Sequence, residues 1–216
     1  MKKLLFDMDG TLLDSMPMWY EFEDRFLEKK KTDKWDKTYV LEENSSTLTN
    51  GVRMLRSFLD LDLDDLTIGQ IINSFLLDFY GEEVRPKDGV YDKLKELKEE
   101  GYQIYVATAT DIAYASLAIK SSGLDKFINK IYTPDTLGHS KKSIEYFEAI
   151  LDDLEIEGKD AVFFDDVLYA NRLAHSAGMK TIGVYDETAD HKDKIKELVD
   201  HYIYNFNEID KEKIED

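Results

Sequence analysis

A chain of 216 residues with 43% hydrophobic content can fill one core and a modest second unit. It contains no cysteine, which excludes disulfides, thiolate zinc sites and cysteine nucleophiles and suits a reducing, cytoplasmic setting. A formal net charge of −18 repels nucleic-acid backbones, and it would equally oppose a phosphorylated ligand unless local cations, a metal ion foremost, overcame the field.

The opening Met1-Lys2-Lys3-Leu4-Leu5-Phe6 is interrupted by Asp7 and Asp9 before a signal-peptide core could be completed, so it reads as a mature N-terminus. No apolar run approaches the ~20 residues of a membrane span. Lys2 to Phe6 instead suits a central, doubly covered strand that ends abruptly in Asp7-Met8-Asp9-Gly10-Thr11. From Ser15 to Val84 the pattern is helical only: Trp19, Phe22 and Phe26 recur at helical spacing, as do Val52, Leu55, Phe58 and Leu59, then Ile68, Ile71, Ile72 and Phe75. Pro86, Asp88 and Gly89 punctuate the return to alternating α and β signals. A helix through Val90, Leu94 and Leu97 ends at Gly101, and strand Tyr102 to Ala107 follows. Helix Ile112 to Ser121, a strand near Ile131, a helix from Ile144 to Leu154 and strand Ala161 to Phe164 come next. A short helix stopping at Gly178, strand Thr181 to Tyr185, a polar helix through Ile195 and Leu198, and the apolar Tyr202 to Phe206 close the chain. This alternation predicts an α/β fold, a Rossmann-like parallel sheet wrapped by helices, with ligands gathered at the carboxyl ends of the strands. The expected division is a core of residues 1–14 and 85–216 and a small all-helical unit of residues 15–84.

Three strand ends carry polar residues: Asp7 and Asp9, Thr108 and Thr110, and Asp165 and Asp166. Four carboxylates on one rim repel one another by several kcal/mol unless they surround a cation. A cage of oxygen ligands without histidine or thiol selects a hard ion, and magnesium fits.

Phe6-Asp7-Met8-Asp9-Gly10-Thr11-Leu12-Leu13-Asp14-Ser15 resembles the first motif of the haloacid dehalogenase-like hydrolase superfamily. Tyr105-Val106-Ala107-Thr108 is similar to its second motif, and Phe163-Phe164-Asp165-Asp166, followed by Ala177-Gly178-Met179, to its fourth. The third motif is a lysine, placed by similarity in spacing at Lys141, with Lys142 the rival where relatives often carry proline. Val167 replaces the family's usual small hydroxyl residue. The helical insert after the first motif resembles the α-helical cap of the phosphatase and β-phosphoglucomutase branch.

The resemblance implies a magnesium-dependent phosphatase acting on a small phosphorylated metabolite. Asp7 would be the nucleophile and form an aspartyl phosphate, and Asp9 would act as acid and then base. Thr108, Ala109 and Lys141 would bind the transferring phosphoryl group. Asp7, Asp9 (through its carbonyl), Asp165 and Asp166 would form the metal set. A phosphomutase of the same superfamily is the alternative, and a binding protein on a disused catalytic fold is a third; the latter predicts loss of a motif residue, and none is lost. Dehalogenases of the family lack the second aspartate, which is here Asp9. A mutase calls for cationic residues facing the site, and Arg53 and Arg56 are the pair at hand; Val52, Leu55 and Phe58 define their helix's apolar face, which places both arginines in solvent.

Other features have plainer readings. Asp60-Leu61-Asp62-Leu63-Asp64-Asp65 superficially resembles a calcium loop, but Asp65 stands where glycine is required and Ile71 where the bidentate glutamate belongs, so a loop and helix cap is expected. His139, His175, His191 and His201 lack metal-binding spacing and are expected at the surface. Lys29-Lys30-Lys31 reads as a solvated helix end. A monomer or weak dimer without nucleic-acid or membrane partners is expected.

Overall fold

A computed structural model describes residues 1–32 and 46–215. Six strands form one parallel sheet: β1 (Lys3–Phe6), β2 (Gln103–Ala107), β3 (Ile128–Tyr132), β4 (Ala161–Asp165), β5 (Lys180–Val184) and β6 (His201–Ile203), in the order β3-β2-β1-β4-β5-β6. β1 is central, with Phe6 in register with Val106 on one side and Phe164 on the other. The strand order reverses beside β1, so this is the switch point at which crossover loops part and leave a crevice.

Alternation explains why the strands read as unbroken apolar runs. Leu4, Phe6, Ile104, Val106, Val162 and Phe164 face one buried cluster, whereas Leu5, Tyr105, Ala107, Ala161 and Phe163 face another. Both faces are covered, so neither set of positions can be polar. The second cluster is closed by α8 (Ile144–Leu154) and α9 (Leu168–Ser176) through Phe147, Ile150, Ala170 and Ala174.

The first cluster runs without a break into the helical segment. Here α1 (Met16–Tyr20), α2 (Phe22–Thr32), α3 (Ser46–Phe58) and α4 (Asp65–Asp78) contribute Met18, Phe22, Phe26, Leu55, Ile68, Ile72 and Phe75. The repeat of Trp19, Phe22 and Phe26 is not one helix: the chain breaks at Glu21, although the Trp19 and Phe22 rings stay 5.4 Å apart. Val52 and Leu55 are buried while Arg53 and Arg56 are exposed; the side chain of Phe58 lies outside the described residues. Asp64 caps α4, its Oδ1 accepting from Thr67 N at 2.9 Å, in keeping with the loop-and-cap reading. A π-helical turn, Phe79–Glu83, extends α4, a feature the spacing does not announce. Two details differ from expectation. His201 is partly buried as the first residue of β6, and Lys29, in the last turn of α2, pairs with Asp78 of α4 rather than standing free in solvent.

The remaining helices are α5 (Val90–Glu99), α6 (Ile112–Ser121), the short α7 (Pro134–Leu137), α10 (Lys192–Leu198) and α11 (Lys211–Glu215). Among the described residues no helix is long and apolar enough to cross a membrane.

Candidate active site

Asp7 is the first residue beyond β1, and its amide remains in the sheet, donating to Phe164 O at 2.8 Å. Its carboxylate therefore emerges at the rim between the ends of β2 and β4. Asp165 ends β4 and Asp166 follows it, so the parallel register delivers both to the same place. Asp7, Asp165 and Asp166 are buried, and each offers an oxygen within 4.8 Å of the others. At that separation two like charges repel by roughly 3 kcal/mol with an effective dielectric near 20.

Among the described residues, one cation answers them. Lys141, in the loop between α7 and α8, is 3% exposed, and its Nζ donates to Asp7 Oδ1 at 2.5 Å and to Asp165 Oδ2 at 2.8 Å. Burial alone would lower its pKa, but the charges of Asp165 and Asp7 outweigh it and hold the ammonium well above its ordinary range. Lys142 is exposed, and its Nζ lies 5.9 Å from the Tyr169 ring centroid. Of the two rival lysines, Lys141 is the one joined to the carboxylates.

Three carboxylates against one ammonium leave two negative charges, and the acid groups register the excess. Burial pushes Asp165 up to about 7, partly opposed by Lys141 and reinforced by Asp7. Burial likewise raises Asp166, with Asp165 and Asp7 adding to the effect. One divalent cation would cancel this excess, and an all-oxygen donor set suits a hard one. The local backbone is shaped around Asp166. Gly10 has φ +80°, and a Cβ there would lie 2.6 Å from Asp166 Oδ2. Thr11 Oγ1 donates to Asp166 Oδ1 at 2.9 Å. Asp165 Oδ1 accepts from Val167 N at 2.6 Å, a backbone bond that does not depend on which side chain residue 167 carries.

Asp9 is not brought into this group. Its carboxylate accepts from Tyr80 Oη at 3.0 Å and from Thr110 Oγ1 at 2.7 Å, so both oxygens are engaged on the side facing the helical segment. Burial and the nearby Asp7 raise its pKa, although the hydroxyl bonds pull the other way. Thr108 is buried at the end of β2, and its Oγ1 accepts from Thr110 N at 3.1 Å. Ala109 is exposed beside it. Ala109, Lys141, Lys142, His139, Asp135 and Asn50 share a cleft of about 670 Å³.

Three residues at the site carried no sequence signal of their own. Tyr80 comes from the π-helical turn. Lys87 donates to Gly10 O and Tyr185 O, both at 2.8 Å, and to Asp186 Oδ2 at 3.0 Å, which ties the loop after β1 to the end of β5. Tyr169 stands on α9, four residues beyond Asp165. Thr110, expected with Thr108 at this strand end, is brought to the Asp9 carboxylate.

Residues 4–184 match the family model of haloacid dehalogenase-like hydrolases. Among curated proteins, the pyrophosphatase PpaX of Bacillus cereus is 25% identical over 184 residues, 84% of this chain and 82% of its own. Among solved structures, a Thermotoga maritima chain provisionally named β-phosphoglucomutase superposes with a TM-score of 0.73 at 20% identity, over 94% of each chain. YfnB of Bacillus subtilis, provisionally named a hydrolase and solved bound to magnesium, gives 0.70 at 19% identity over 96% of each.

Proposed function

This chain belongs to the haloacid dehalogenase-like hydrolases, and we propose that within the family it is a magnesium-dependent phosphatase that hydrolyses a small phosphorylated metabolite in the cytoplasm through an aspartyl phosphate on Asp7. The observation that carries the reading is the buried set of Asp7, Asp165 and Asp166, within 4.8 Å of one another and cross-braced by Lys141.

Asp7, Asp166 and the Asp9 carbonyl would hold the magnesium ion, with Asp165 occupied by Lys141 and the Val167 amide. When bound, the ion screens the charge between the carboxylate nucleophile and the incoming phosphate. Asp7 attacks phosphorus in line while Lys141 and the Thr108 hydroxyl donate to the phosphoryl oxygens. Asp9 gives its proton to the leaving oxygen and then takes one from the water that cleaves the aspartyl phosphate. For this its carboxylate turns from Tyr80 and Thr110 toward the Asp7 side.

Residues 1–14 and 85–216 act as the catalytic core and residues 15–84 as a cap. The two chain crossings lie side by side, with Asp14 N donating to Arg85 O and Lys87 N to Leu12 O, both at 3.0 Å, which suits a hinge. Water is the acceptor rather than a second substrate hydroxyl. Of the two arginines that could clamp a second phosphate, Arg56 is spent on Asp65 Oδ1 and Leu63 O, both at 2.6 Å.

The test is a panel of phosphorylated metabolites assayed with magnesium and then with chelator, including β-glucose 1-phosphate with a bisphosphate activator. Phosphate release that vanishes in chelator supports the reading. Release undiminished in chelator, or glucose 6-phosphate formed without phosphate release, overturns it.

A further inference from the structure

Three successive peptide units around Asp166 are each held by a side chain. The carbonyl of Asp165 accepts from Asn171 Nδ2 at 2.9 Å, the amide of Val167 donates to Asp165 Oδ1 at 2.6 Å, and the carbonyl of Val167 accepts from Asn171 Nδ2 at 3.0 Å. The outer two bonds come from one residue. Asn171 stands on α9, one turn beyond the loop, and is fully buried. Because φ and ψ at Asp166 are the rotations between the peptide planes on either side of it, anchoring those planes fixes where its side chain starts. Thr11 Oγ1 and the bare Cα of Gly10 then fix where its carboxylate ends. The other acidic loop is held in the same manner, by Lys87 Nζ on Gly10 O.

Helix formation alone does not call for this arrangement. Val167 O already receives an α9 backbone bond, from Asn171 N at 3.2 Å, so the side-chain bond is added to a satisfied group. The other end of the amide is stranded: Asn171 Oδ1 is buried and, among the described residues, has no hydrogen-bond partner. An orphaned buried oxygen costs stability, and turning the amide over would aim that oxygen at two carbonyl oxygens instead. Its buried neighbours on α9, Ala170 and Ala174, are apolar, and an apolar side chain at 171 would strand no oxygen. What asparagine supplies there, and an apolar residue cannot, is a donor shared by both carbonyls of the loop.

We infer that Asn171 is a positioning residue for the metal: it touches neither ion nor substrate and sets the backbone from which Asp166 reaches the ion. This rests on the reading that Asp7 and Asp166 hold magnesium. Magnesium demands near-ideal octahedral geometry at short distances, whereas calcium accepts longer and less regular ones, so a loop held at three points favours the smaller ion. Losing two of those points should cost magnesium more than calcium. Groups that orient a metal ligand from behind change affinity by roughly 10- to 100-fold when removed.

The test titrates magnesium and calcium separately into the substrate-free protein by calorimetry, for the wild type, Asn171→Leu and Asn171→Thr. Leucine keeps the branched shape and has no donor, whereas the threonine hydroxyl can return one bond to Val167 O, four residues back. Asn171→Leu should bind magnesium about tenfold more weakly while calcium weakens less than threefold, and Asn171→Thr should fall between it and the wild type. Should Asn171→Leu fail to fold, Asn171→Thr decides by the same comparison, a greater loss for magnesium than for calcium supporting the inference and equal losses overturning it. Magnesium affinity within threefold of wild type in Asn171→Leu, or equal losses of both ions, overturns the inference, the latter because a general loosening of the fold does not discriminate between ions. A wild type that takes up no magnesium overturns the metal reading and this inference together, whereas binding that ignores residue 171 overturns this inference alone.

Discussion

The acidic floor and the Asp9 wall are two residues apart in sequence and are built by different means. The floor is fixed by the sheet: Asp7, Asp165 and Asp166 are placed by the ends of neighbouring parallel strands, and Lys141 locks two of them. Asp9 is held by hydroxyls, one from β2's end and one from the π-helical turn of the helical segment. A nucleophile must be fixed in line with its target, whereas a group that gives and then takes a proton must turn. On the proposed roles of Asp7 and Asp9, the contrast teaches that a rigid nucleophile and an adjustable acid–base group would come from one short loop because different elements hold them.

Changes on the floor should have the largest effects. Asp7→Asn keeps the shape but cannot attack phosphorus, so turnover should fall at least ~10⁴-fold while circular dichroism and melting temperature are retained. Activity within tenfold of wild type would remove Asp7 as nucleophile. Asp166→Ala should lower kcat/KM by about 10³-fold and raise the magnesium concentration needed for half-maximal rate. An unchanged magnesium requirement would contradict its assignment as a ligand.

The floor also predicts how the metal-free protein responds to pH. Asp165 is raised from 3.8 to about 7 in the fold, and Asp166 is raised as well, so between these values the folded chain holds more protons than the unfolded one. Stability of the metal-free protein should therefore fall as pH rises from about 4 to about 7. Magnesium should raise the melting temperature increasingly over the same interval. A metal effect independent of pH would show that the carboxylate excess is relieved in some other way.

The Asp9 wall should be more forgiving. Tyr80→Phe removes one of two hydroxyls and should lower kcat about tenfold with little change in KM, and more for substrates with poor leaving groups than for aryl phosphates. An equal loss for both leaving groups would assign Tyr80 to packing alone. The smallest effect is expected at the staple below the loop. Lys87→Met abandons Gly10 O, Tyr185 O and Asp186 and should cost about 2 kcal/mol of stability, read from a denaturant midpoint. A change under about 0.5 kcal/mol would mean that water replaces those bonds.

The floor was legible in the sequence because each of its parts ends an apolar run: Phe6-Asp7, Ala107-Thr108 and Phe164-Asp165-Asp166 are strand ends that a parallel sheet must bring to one rim. Lys141 became visible only through resemblance, since one lysine in a loop has no periodicity. The spacing could not decide between Lys141 and Lys142, because their difference lies in burial. The holders of Asp9 were hidden for another reason. Tyr80 reaches it across 71 positions of chain by way of a π-helical turn, and no local pattern encodes either the turn or the contact. The break at Glu21 was missed because Trp19 and Phe22 still pack together after the helix ends, so the apolar repeat survives the interruption.

The most direct test of the account is to look for the covalent intermediate. Asp9→Asn should still accept a phosphoryl group from an activated donor such as acetyl phosphate but should hydrolyse the product slowly, so acid-quenched protein should carry one phosphate. Peptide mass spectrometry should place that phosphate on Asp7, and the label should be absent from the Asp7→Asn, Asp9→Asn double variant. Phosphate found on another residue, or turnover by a protein that never becomes labelled, would contradict nucleophilic attack by Asp7.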